Sequence, residues 1–178
     1  MAKAVDDWPG FLAAARRKVA IAAYHADCLG NEHASGDSFE VPSIPVQAHF
    51  EGVVVSVMAA VDQVAQALNS ALKLRLRPAN LIEGAFTLLA DKVPEIHSWF
   101  TDPLGRDLRR IRVRMVHYSY AKSPQGPCWV VEAAGTDYPG SRELVAYAKS
   151  AVEYGKHLQS LLPLVEAEIT TRVGVNST

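Results

Sequence analysis

The chain has 178 residues and a net charge of −1, with a pI near 6.6; this suits one domain with a real core and excludes a protein that is basic throughout, so any nucleic-acid contact must be local. Cys28 and Cys128, the two cysteines, form neither a disulfide framework nor a zinc pattern and fit a reducing cytoplasm. The first turns mix Asp6, Asp7 and an Arg-Arg-Lys run with apolar residues, so no secretory leader is expected, and the longest apolar run, Gly52 to Val61, is about half the roughly 20 residues a bilayer requires.

In chain order, the first predicted element is a helix after Pro9. Alanine is abundant there, and Phe11, Leu12, Ala15, Val19 and Ala22 recur at helical spacing. Gly30 is the expected stop. Residues 31–45, rich in Gly, Ser and Pro, read as a loop. A long helix follows from Pro45 to about Leu76. Val46, Phe50, Val53, Val57, Val61, Val64, Leu68 and Leu72 form its apolar seam, with Gly52, Ser56, Ala59, Ala60 and Ala67 beside it for close helix approach. Pro78 breaks this helix. Residues 80–93 read as a shorter helix capped by Asn80, with Glu83 three positions on. Pro94 interrupts it, and Glu95 to Thr101 makes a further turn.

Thr101 or Asp102 can cap the next helix, with Pro103 at its first position. After Tyr120 the chain reads as a loop. Cys128 to Ala133 is a candidate short strand, paired into a hairpin with the residues around Gly135–Tyr138. Ser141 caps a last long helix carrying Leu144, Ala148, Val152, Leu158, Leu162, Val165 and Ile169, with a kink expected near Pro163. Residues 173–178 read as a flexible tail. The expected fold is all-α: residues 1–178 as a single domain, a four- to five-helix up-and-down bundle with a short β-hairpin before the last helix.

One segment concentrates charge. Gly105 to Tyr120 holds Arg106, Arg109, Arg110, Arg112 and Arg114, then His117. On a helix, Leu104, Leu108, Ile111, Met115 and Tyr118 fall within about 80° of one another, as a core stripe. Arg106, Arg110, Arg114 and His117 fall within about 80° on another face, and Arg109 and Arg112 point elsewhere. Arginines at i, i+4 and i+8 repel, so something must favour them. Carboxylates on neighbouring helices would do so. So would an anionic ligand, most naturally a phosphate, which guanidinium grips with two parallel hydrogen bonds. A histidine beside them can move a proton near neutral pH.

Here the sequence resembles the HEPN superfamily of helical bundles, through Arg112-x4-His117 and Arg110-x6-His117 and through the apolar helix at Gln47 to Asn69. The resemblance implies a dimeric bundle and a metal-independent endoribonuclease, or an RNA- or nucleotide-phosphate-binding relative, without cofactor. His117 would be the general acid or base, and Arg112 or Arg110 would steady the phosphoryl charge. Arg106 and Arg114 would add phosphate contacts, and Tyr118 and Tyr120 would stack on bases. A partner protein of the antitoxin type is a further expectation. Active members place a polar residue directly after the motif arginine. Here that residue is Val113 or Ile111, which keeps open the alternative of a non-catalytic dimeric interaction module.

Other clusters carry less. His25, Asp27, Cys28, Glu32 and His33 match no zinc spacing, and Gly30 is expected to end the helix between them, so no metal site is expected. Glu153 and His157 read as a surface i, i+4 pair. No Gly-rich phosphate loop and no nucleophile elbow occurs.

Overall fold

The computed structural model describes residues 7–34, 44–117 and 141–175, without the side chains of His33, residues 114–117, residues 141–143 and Val175. The described residues are all-α. They form α1 (Trp8–Ala34), α2 (Ile44–Ala71), α3 (Leu81–Ala90), α4 (Pro94–Phe100), α5 (Pro103–His117) and α6 (Ser141–Val175). The candidate strand at Cys128–Ala133, Tyr118 and Tyr120 lie outside the described residues.

Asp7 caps α1 through its carboxylate, which accepts the backbone N–H of Gly10. The helix does not stop at Gly30 but continues to Ala34. Leu12, Ala15, Val19, Ala22 and Leu29 are buried along one side. Packing of that stripe on α2 outweighs the weak helix preference of one glycine.

The expected seam of α2 is confirmed from Val46 to Leu68, all of whose apolar positions are buried. The helix ends earlier than the sequence suggests, at Ala71. Lys73 and Arg75 take left-handed backbone, with φ of 51° and 57°. The Asn69 side chain accepts the Leu76 N–H at 2.9 Å and holds the reversal. Side chains with a Cβ pay about 1 kcal/mol for this conformation. By length and composition α2 could cross a membrane, but half of its most apolar window is buried in the bundle.

A 3₁₀ turn at Pro78–Asn80 precedes α3, and the Asn80 side chain makes no capping bond. The capping expected at Thr101 or Asp102 falls to Asp102, whose carboxylate accepts the Leu104 N–H at 2.8 Å. Thr101 instead donates its hydroxyl to the His97 carbonyl and closes α4. α6 runs unbroken through Pro163 to Val175, into the expected tail.

α1 packs on α2 and α6, and α2 also meets α3, α5 and α6. His25 lies beside His49, so α1 and α2 are antiparallel. Arg16 bonds Glu166 at 2.6 Å, while Ala26 and Asp27 lie beside Lys149 and Val152, so α1 and α6 are also antiparallel. Phe50 packs on Tyr147, and a Cβ at Gly155 would meet Val57, so α2 and α6 run the same way. Gly105 approaches Tyr154, which brings α5 against α6. An aromatic cluster joins the short helices to α6. Phe86 stacks on Phe100, Trp99 stacks on Tyr154, and the Trp99 indole N–H donates to the Tyr154 carbonyl at 3.1 Å.

Candidate functional site

α5 presents the charged segment as a helix, with its apolar stripe turned inward. Leu108 and Ile111 are fully buried and Leu104 partly so. Gly105 is required by a close approach, because a Cβ there would collide with the Tyr154 hydroxyl.

The arginines divide as helical geometry predicts. Arg106 and Arg110 are exposed, Arg109 and Arg112 turn toward α2 and α3, and Arg106 also borders Arg109. The Arg112 guanidinium meets the Asp62 carboxylate of α2 at 2.7 Å, with both side chains about two-thirds buried. Arg109 lies 4.8 Å over the Phe100 ring and 4.0 Å from Glu83. That places it in a cation–π contact with a carboxylate at the limit of pairing. Arg110 pairs with Asp107 one turn back, at 3.4 Å. Arg106 enters none of these pairs.

Two depressions border this face. One, of about 570 Å³, is lined by Met58, Asp62, Gln66, Ile82, Glu83, Arg109, Arg112 and Val113. The other, of about 590 Å³, is lined by Glu83, Phe100, Thr101, Arg106 and Arg109. Both mix cations with carboxylates. The structure therefore brings together Arg109 and Arg112 in one cleft, and Arg106 and Arg109 in the other. Arg114 and His117 occupy the last turn of α5, and their side chains lie outside the described residues, as do Tyr118 and Tyr120.

Sequence reasoning missed Asp62 and Glu83 as partners of the arginines. Nothing local in the sequence marks Asp62 as facing a helix fifty residues further on.

Beneath this face the Tyr154 and Tyr147 hydroxyls are buried; that of Tyr147 finds no hydrogen-bond partner among the described residues, and that of Tyr154 has the Arg109 guanidinium beside it. Burial raises both above the ordinary tyrosine range. The nearby Arg109 opposes this for Tyr154, and Arg110 opposes it for Tyr147.

Between α1 and α2, His25 and His49 meet with Nδ1 atoms 3.2 Å apart. Burial, and then the neighbouring His49, pushes the His25 imidazole below the ordinary histidine range. Because α1 passes through Gly30, His25, Asp27, Cys28, Glu32 and His33 share one helix, contrary to the expected break. Among the described residues no group of three or more His, Cys, Asp or Glu is placed to hold a metal. Glu153 bonds Lys156 at 2.8 Å rather than His157. No protein-family model, curated protein or solved structure matches the chain.

Proposed function

We propose that the chain is an HEPN-like helical bundle that acts as a cytoplasmic, dimeric interaction module rather than as a ribonuclease. The antiparallel packing of α1 on both α2 and α6 supports reading it as a four- to five-helix up-and-down bundle, with α3 and α4 as short supports and the hairpin at Cys128–Ala133 retained as an expectation. The single observation that carries the functional reading is the Arg112–Asp62 pair at 2.7 Å. Arg112 sits at the family's motif position. A guanidinium that already neutralises a carboxylate of the next helix brings little net positive charge to a phosphate. Arg110 and Arg109 follow the same pattern, with Asp107 and Glu83. Val113, exposed on the rim of the cleft, supplies no polar group where active relatives have one.

A second reading rests on what remains open. Arg106 is exposed, and Arg112 faces the cleft with N–H groups beyond the one given to Asp62. In that reading Arg106, Arg112 and Arg114 hold an RNA or nucleotide phosphate. His117 passes the proton at the attacking 2′-hydroxyl or the leaving oxygen, and Arg112 or Arg110 steadies the phosphoryl charge.

The test compares wild type and His117→Ala on single-stranded RNA without metal, with sedimentation of the same samples. The interaction-module reading expects equal background cleavage by both and a dimer. Metal-independent cleavage that disappears in His117→Ala overturns it in favour of the ribonuclease. A monomer at all concentrations removes the dimer.

A further inference from the structure

The histidine pair between α1 and α2 lies apart from the arginine helix and plays no role in the reading above. Its Nδ1 atoms are 3.2 Å apart, with ring centroids at 5.5 Å. In a tetrahedral site with metal–nitrogen bonds of about 2.0–2.1 Å, two ligand nitrogens stand about 3.3–3.4 Å apart. The pair therefore already has nearly the bite of two imidazoles on one ion. We propose that His25 and His49 form a two-histidine clip for a divalent d-block ion of the zinc and copper class, with water completing its coordination.

The position of His25 is built into the fold. Its ring lies against the α2 backbone at Gly52, where a Cβ would come within 2.6 Å of it. Gly52 is one turn from His49, so the same stretch of α2 supplies one ligand and the space for the other. Residues 22–34 of α1 and 44–61 of α2 contain no lysine or arginine, but carry Asp27, Glu32 and Glu51. The lysines of α6, Lys149 and Lys156, border Ala23, Ala26 and Asp27 instead. Both histidines are partly exposed, which leaves a path for water to the ion. Imidazole suits zinc and copper, and copper is bound most tightly of the divalent series. Without an ion, one Nδ1–H donates to the other Nδ1. On binding, that proton moves through solvent to Nε2 of the same ring, so both Nδ1 lone pairs face the metal and no net proton is lost.

The experiment uses the full chain stripped with chelator, then titrated with Zn²⁺ by calorimetry and with Cu²⁺ followed by electron paramagnetic resonance. One ion per chain is expected, with a copper spectrum showing two nitrogen ligands. His25→Ala and His49→Ala are each expected to weaken zinc about 100-fold or more, and Gly52→Ala, which keeps both histidines, about tenfold. Cys28→Ser is expected to bind as wild type. The proposal is overturned by a wild type that takes up no stoichiometric zinc, by unchanged affinity in both histidine variants, or by loss of binding in Cys28→Ser. If a histidine variant fails to fold, as seen by circular dichroism, the wild-type copper spectrum decides: two nitrogens sustain the clip and fewer overturn it. None of these outcomes depends on RNA binding or cleavage.

Discussion

Helices α1, α2 and α6 meet through alanines, valines and glycines, whereas α5 reaches its neighbours partly through guanidinium groups. In the first region Val19, Val57 and Gly155 bring three backbones together, and a single guanidinium pair, Arg16 with Glu166, is described between α1 and α6. In the second, Arg112 and Arg109 extend across a cleft to Asp62, Glu83 and Phe100. Small side chains gain stability by dispersion and burial over many weak contacts. Long charged side chains gain little at an exposed surface but more where they are half-buried and paired. The difference teaches that a run of arginines can be a fastening for a helix the apolar core holds only on one stripe.

The comparison breaks hardest at the joint between the two regions. Trp99 is 2% exposed, stacks on Tyr154 and donates to its carbonyl. Trp99→Ala is expected to cost about 3–5 kcal/mol by urea denaturation. If α3–α5 were a loosely attached flank, the loss would be far smaller, and a separate early transition would appear.

Next in size is the fastening itself. Asp62→Ala leaves Arg112 half-buried without its carboxylate and is expected to cost about 1–2 kcal/mol. A double-mutant cycle with Arg112→Ala should return a coupling of about 0.5 kcal/mol or more. A coupling of zero would mean that Arg112 is solvated rather than tied down, which would strengthen the phosphate reading at the expense of the interaction module.

The smallest effect has the opposite sign. A Cβ at Gly30 meets nothing within 4 Å among the described residues, and the residue is helical. Gly30→Ala is expected to stabilise the protein by about 0.5–1 kcal/mol. A destabilisation would show that α1 in solution ends where its sequence suggests.

These same residues mark what could be read from the sequence. The seam of α2 and the inward face of α5 at Leu108 and Ile111 were legible, because burial imposes a period on the chain and the period survives in the sequence. Ends were less legible. Gly30 suggested a stop that packing overrides, and the stop after Ala71 depends on Asn69 reaching Leu76 across a turn made by residues with no special preference for it. That Arg109 and Arg112 leave the face of Arg110 followed from helical angle alone, although Arg106 borders Arg109. Their partners did not, since Asp62 and Glu83 meet α5 only through the tertiary arrangement. The histidine pair was hidden for the same reason: His25 and His49 lie on different helices, and Gly52 looked like one more small residue in a seam.

Gly105 has a consequence for the charges above it. Because Tyr154 fills the space where a side chain would begin, α5 and α6 interlock at that point like a pin in a notch. A side chain at this position would collide with the tyrosine, so the close approach of α5 to α6 is tied to the glycine. The setting of every arginine on α5, and so the distance from Arg112 to Asp62, is gauged by a residue that carries neither charge nor side chain.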